Sequence, residues 1–273
     1  MKRILTALVA LPILLFAVWS SSPYPFVLLT AIAVVLALGE FYRLASNVEC
    51  APVPIFGYIA ALLVIACFVL DRSVWIIAVM AALAIASLAA VLSRPEQMNR
   101  SLASAAATVF GVVYVALLGG FLAGVRMTAD SSATTHLASR LITLFFAMVM
   151  MTDTGAYYTG RAIGRHKLAP RVSPGKTIEG AIGGFIAALA AGPLCKLAFF
   201  PQLPLADSLL LGASIGILGQ VGDLAESMLK RGSGVKDSSN LLPGHGGMLD
   251  RLDSILFCAP VIYYYSRFFS LAQ

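Results

Sequence analysis

Long apolar runs, broken by short polar stretches, set the pattern of this chain. Nine runs approach the roughly 20 residues that a helix needs to cross a bilayer: 4–20, 25–45, 53–70, 73–92, 103–125, 139–159, 178–200, 205–223 and 254–271. Their continuity predicts membrane helices, because lipid forces each segment to satisfy its own backbone groups. The short alternating stretches of a β-barrel are missing. Pro23 and Pro25 punctuate the first hairpin, Pro52 and Pro54 open the third run, and Asp71-Arg72-Ser73 reads as a tight turn. The expected architecture is all-α, with about nine transmembrane helices in a single membrane domain over residues 1–273. Residues 1–135 read as mainly scaffold, and residues 136–273 carry the catalytic helices and loops. No internal repeat or separate soluble domain interrupts the pattern.

Composition strengthens this picture. The 273 residues are 59% hydrophobic and only 12% charged, whereas a soluble domain is about one quarter charged. The net charge of +6 comes from Lys and Arg in loops between apolar runs. Topology and anionic phosphates account for it better than nucleic acid does. With the N-terminus in the cytoplasm, fourteen of the 19 basic residues fall on the inner side, as the positive-inside rule requires. The expected location is therefore the inner (cytoplasmic) membrane, with the functional loops facing the cytoplasm and the C-terminus outside. Met1-Lys2-Arg3 and the run to Trp19 read as a first membrane helix, since no small-x-small cleavage site follows cleanly. Cys50, Cys67, Cys195 and Cys258 are scattered, without metal-ligand spacing, and read as reduced thiols.

Polar groups gather in two places. The first is Met151 to Gly184, where Asp153 lies inside an apolar run and Tyr157 and Gly160 follow at helical spacing. Five basic residues lie between Arg161 and Lys176, and Ser173-Pro174-Gly175-Lys176-Thr177 is expected to open the next helix. A helix start presents free N–H groups and a positive dipole end to an anion. Lys176-Thr177 is not the end of a P-loop, because Pro170 stands where the early glycine belongs. A basic segment of this kind also serves topology and anionic lipid alone.

The second place is Asp223 to Asp253. Asp223, Glu226, Ser227 and Lys230 share one helical face, and Glu226 reads either as a salt-bridged helix end or as a group steadying Lys230. Gly232, Gly234, Gly244, Gly246 and Gly247 let backbone N–H groups approach a ligand closely. His245, among them, suits either a phosphate contact or an acid for the leaving group. Asp250 and Asp253 share a face with Arg251 turned away. Carboxylates without thiols suit Mg²⁺, which keeps waters and binds substrate phosphates. Glu40 and Arg43 read as a structural pair, and the run Tyr263-Tyr264-Tyr265 as an interfacial belt.

The stretch Ser227 to Asp253 resembles the signature of the phosphatidate cytidylyltransferases (CDP-diacylglycerol synthases). The matching positions are Ser227, Lys230, Arg231, Lys236, Asp237, Leu242, Pro243, His245, Gly246, Gly247, Asp250, Arg251 and Asp253. Asp153-Thr-Gly-Ala-Tyr, Gly164-Arg-His-Lys-Leu-Ala-Pro and Val172-Ser-Pro-Gly-Lys-Thr are similar to the family as well, with Ile178 where an aromatic is common. The first half resembles it in hydropathy only.

The resemblance implies that CTP and phosphatidate, drawn from the bilayer, give CDP-diacylglycerol and pyrophosphate. It implies two divalent ions, or one divalent ion plus a second cation, to screen the approach of one phosphate to another. On that basis Asp223 and Asp250 are the expected principal metal ligands, with Asp153 and Asp253 in support. Lys230, Arg231, Lys236 and Arg251 would hold the triphosphate or the lipid phosphate, helped by Ser173 and Lys176. Ser227, Asp237, Gly246 and Gly247 join the substrate-binding set, and His245 the catalytic one. Asp223 and Asp250 are expected to need the segment with Asp153, Ser173 and Lys176 to close around CTP. The rivals are a polytopic transporter of an anionic solute, which would show a repeat, and a CDP-alcohol phosphotransferase, whose Asp-Gly-x-x-Ala-Arg motif is missing. A homo-oligomer is left open.

Overall fold

The computed structural model describes residues 2–93, 95–130, 135–241, 244 and 246–271, with side chains for all of these except 2–7, 95–97 and 269–271. Helices dominate. In chain order they are α1 (Lys2–Trp19), α2 (Tyr24–Asn47), α3 (Pro54–Val69), α4 (Trp75–Leu92), α5 (Ser101–Gly111), α6 (Leu118–Arg126), α7 (Leu137–Ile163), α8 (Ile178–Ala198), α9 (Leu205–Gly232) and α10 (Leu249–Leu271). A π-helical stretch, Val112–Leu117, joins α5 to α6, so residues Met98–Arg126 make one apolar stretch of 29 residues.

Each of the nine apolar runs is helical, and the protein is an integral membrane protein. Among the described residues, six helical stretches are long and apolar enough to cross a membrane: Tyr24–Asn47, Trp75–Leu92, Met98–Arg126, Leu137–Ile163, Ile178–Ala198 and Leu205–Gly232. The apolar helices Leu8–Trp19 and Pro54–Val69 are shorter. The last helix begins with Asp250, Arg251 and Asp253 and falls outside that group. Length and apolarity thus support six spans where nine were expected.

The architecture is all-α as expected, with one short hairpin between helices. Lys167–Ala169 (β1) and Ser173–Thr177 (β2) form an antiparallel hairpin, with Lys167 opposite Thr177 and Ala169 opposite Ser173. Ala169 and Ser173 each precede a proline, and a residue before proline is pushed out of helical space toward extended backbone. Ser173 and Lys176 therefore lie on a strand and not on a helix start. The true cap of α8 is Thr177, whose hydroxyl accepts the N–H of Gly180 at 3.1 Å.

Contacts divide the chain into two units. The first holds residues 1–127 and 229–252, and the second residues 128–228 and 253–273. In the first, the Tyr42 hydroxyl donates to the Thr108 carbonyl at 3.0 Å. The Thr108 and Ser104 hydroxyls accept the Val53 and Ala51 N–H groups at 2.9 Å each, tying the start of α3 to α5. In the second unit α7 and α8 run backbone to backbone. A Cβ on Gly184 would lie 2.7 Å from the Thr152 carbonyl oxygen, and one on Gly212 2.6 Å from that of Ala188. Membrane helices lack a hydrophobic drive to associate, so close approach through small residues supplies their cohesion. Gly222 brings α9 equally close to α10, 2.5 Å from an added Cβ to the Asp253 carbonyl oxygen.

Candidate active site

Within the second unit the β-hairpin is held at its base by Glu179, in the first turn of α8. That carboxylate accepts the Arg165 N–H at 3.1 Å, the His166 N–H at 3.2 Å, and a contact of 2.6 Å from His166 Nδ1. The hairpin then delivers Lys176, whose ammonium forms an ion pair with the Asp223 carboxylate on α9. The Ser227 hydroxyl lies one turn on and 3.5 Å from Asp223 Oδ1. The expected link between the Ser173–Lys176 segment and Asp223 is therefore present. Both side chains of the pair stay partly open, at 28% and 30% exposed. Asp153 stands exposed on α7, and Arg161, Arg165, His166, Lys167 and Arg171 surround the hairpin as exposed groups. The Tyr157 hydroxyl accepts from Arg161 at 3.2 Å.

Within the first unit a second cluster forms around Asp250, in the first turn of α10. Lys230 donates to Asp250 Oδ1 at 2.6 Å, with the two side chains only 12% and 6% exposed. Asp250 Oδ2 accepts the Gly247 N–H at 2.7 Å, the Ser238 hydroxyl at 3.0 Å and the Ser238 N–H at 3.1 Å. Removing this much water from a carboxylate is tolerable only with such a full set of partners.

Glu40, from the middle of α2, completes the cluster and is fully buried. Its Oε1 accepts the Ser239 hydroxyl at 2.6 Å and the Met248 N–H at 3.0 Å. Its Oε2 accepts the Leu249 N–H at 2.7 Å and the Ser238 hydroxyl at 2.9 Å. The expected Glu40–Arg43 pair does not form among the described residues; Arg43 is exposed, and Glu40 spends its oxygens on Ser238, Ser239, Met248 and Leu249. Two of its donors open α10, where free N–H groups and the dipole favour an anion.

Gly247 makes this convergence possible. A Cβ there would run into both the Ser238 hydroxyl and the Glu40 carboxylate. Gly247→Ala is expected to destabilise by about 1–3 kcal/mol, as overpacking does, and to lower the melting temperature in detergent accordingly. Gly246, at φ +80°, occupies backbone space that side chains resist.

Most of the remaining expected site residues are exposed. Lys236, Asp237 and Arg251 are exposed, and Lys236 and Asp237 have no ion-pair partner among the described residues. Arg231 is exposed and donates to the Val235 carbonyl at 3.3 Å. Asp253 accepts the N–H of Ser254 at 2.6 Å. His245, with Leu242 and Pro243, lies outside the described residues.

The fit to a metal differs between the two aspartates. Among the described residues no group of three or more His, Cys, Asp and Glu side chains gathers as a ready cage. Asp223 suits a hydrated Mg²⁺, which needs one or two carboxylates and brings its own waters. Asp250 spends both oxygens on protein donors, and the cation beside it is the Lys230 ammonium. Three carboxyl or hydroxyl roles escaped sequence reasoning. Glu40 carried a signal, as a charge inside an apolar helix; Glu179 and Ser238 carried none beyond their polarity.

A model of the cytidylyltransferase family matches residues 1–269. The chain is 46% identical over 129 residues to the phosphatidate cytidylyltransferase of Bacillus subtilis (strain 168), covering 46% of this chain and 48% of that protein. It is 54% identical over 119 residues to the phosphatidate cytidylyltransferase of Staphylococcus haemolyticus (strain JCSC1435), covering 43% and 45%. The enzyme of the same name from Staphylococcus aureus (strain COL) is 50% identical over 119 residues, again covering 43% and 45%. The match thus spans about half the length of these relatives. With the family model matched along nearly its whole length, the chain belongs to the cytidylyltransferase family.

Proposed function

We propose that this protein transfers the cytidylyl group of CTP to phosphatidate, giving CDP-diacylglycerol and pyrophosphate for phospholipid synthesis. The Lys176–Asp223 pair at the base of a basic hairpin carries the reading. It joins a cation and a reachable carboxylate beside a membrane helix, as phosphate chemistry on a lipid requires. The nucleophile is already a phosphate oxygen, so no strong base is needed, and the barrier is repulsion between two anions. The exposed cations Arg161, Arg165, Lys167, Arg171, Arg231, Lys236 and Arg251 lower that repulsion and attract the nucleotide. Lys176 and Ser173 hold phosphate oxygens, and Lys230 and Arg231 do so at the end of α9, with the Gly246 and Gly247 backbone beside them.

Asp223 would hold Mg²⁺, with Asp153, Asp253 and the Ser227 hydroxyl in support. The ion would supply charge neutralisation on the triphosphate. Asp250 would hold a second divalent ion only where Lys230 yields its place. His245 serves as an acid toward the pyrophosphate. The charge asymmetry of the loops supports nine spans with the N-terminus and the active site on the cytoplasmic side of the inner membrane. Purified protein in detergent, given CTP labelled in its α-phosphate, phosphatidate and Mg²⁺, is expected to move label into the organic phase. EDTA is expected to abolish the transfer.

A further inference from the structure

We infer that Glu40 is a positioning residue for this transfer, acting through Ser238, Ser239, Met248 and Leu249; the inference rests on the proposed function. Three observations carry it. Glu40 lies in α2, far in sequence from every residue of the signature, yet all four of its hydrogen bonds go to that stretch and to the first turn of α10. Those bonds grip it at two points, Ser238 and Ser239 on one side and Met248 and Leu249 on the other. Finally, the Ser238 hydroxyl stands between two carboxylates, 2.9 Å from Glu40 and 3.0 Å from Asp250. Ser238 thereby couples the two carboxylates, since its hydroxyl is shared between them and its N–H also donates to Asp250 at 3.1 Å.

A scaffold role needs none of this. An apolar residue would pack α2 at lower desolvation cost, since burying a carboxylate in an apolar helix is tolerated only when every lone pair is met. The groups so oriented, Asp250, Lys230 and the Gly246–Gly247 backbone, are the ones the proposed reaction uses. Small displacements of such groups cost rate steeply.

The test compares the wild type with Glu40→Gln, Glu40→Asp and, as a surface control, Glu49→Gln in the detergent-solubilised full chain. Glutamine keeps the shape but retains one acceptor oxygen, so two of the four donors lose their partner. Glu40→Gln is expected to lower kcat on the order of 10- to 100-fold while KM for phosphatidate stays near wild type, and to lower the melting temperature through the two orphaned donors. Glu40→Asp, which keeps both oxygens, is expected to recover part of kcat, and Glu49→Gln to match the wild type. Wild-type kcat in Glu40→Gln overturns the inference. So does a loss of kcat that tracks an equal loss of stability throughout α2 and α3, which marks a fold-holding residue. If the wild type itself transfers no label, the proposed function fails on its own, and amide exchange at Gly247, Met248 and Leu249 decides the contact. Faster exchange confined to these amides in Glu40→Gln supports it, and unchanged exchange overturns it.

Discussion

Asp223→Asn is expected to cut cytidylyl transfer by at least about a hundredfold while the protein stays folded. Asparagine has the shape of aspartate, and the side chain is partly exposed, so its neutralisation removes little stability. What it removes is charge. In the wild type the Asp223 carboxylate holds Lys176, and on the proposed function its remaining lone pairs would serve a divalent ion. The amide would leave Lys176 without its counter-charge and weaken the cation site at the same time. The measurement is kcat and KM for CTP across a Mg²⁺ titration. The loss should be only partly offset by raised Mg²⁺, because an amide oxygen is a poorer ligand than a carboxylate. Near-full activity at low Mg²⁺ would remove Asp223 from the ligand set.

Lys230→Met is the second large effect, and it falls first on stability. The Lys230–Asp250 pair is nearly closed to solvent, so removing the cation leaves a buried carboxylate uncompensated. Breaking one partner of such a pair costs about 3–5 kcal/mol. The Ser238 and Gly247 donors and the start of α10 offset part of that, so the lower end is expected, a fall of roughly 6–12 °C in melting temperature for a chain of this size. Adding Asp250→Asn removes the orphaned charge. The double variant is expected to regain most of the stability and none of the activity. If Lys230→Met melts like the wild type, the pair is not an element of the fold.

The two clusters differ in how much of them the sequence revealed. The helices were legible because apolar runs long enough to span leave the backbone no other way to satisfy itself. The hairpin was not, because Lys167–Ala169 and Ser173–Thr177 are too short to show an alternating pattern; only the two prolines hinted at extended backbone. Lys176 and Asp223 were each visible as charges beside glycines, and their meeting followed the expectation. Glu40 was visible too, but the nearest opposite charge in sequence, Arg43, offered a simpler partner. Helix geometry allowed that pair, and tertiary folding overrode it, since the loop supplies four donors. Ser238 is an ordinary loop serine until the fold sets it between Glu40 and Asp250. Contacts between residues about 200 positions apart leave no local trace.

On the proposed function the protein joins the α-phosphorus of CTP to the phosphate of phosphatidate. The most direct test uses CTP labelled in either the α- or the γ-phosphate, incubated with the purified protein, phosphatidate and Mg²⁺. The α-label is expected to enter the organic phase as a single lipid product while the γ-label stays in water as pyrophosphate. Passage of γ-label into the lipid, or retention of both labels in water by folded protein, would contradict that function.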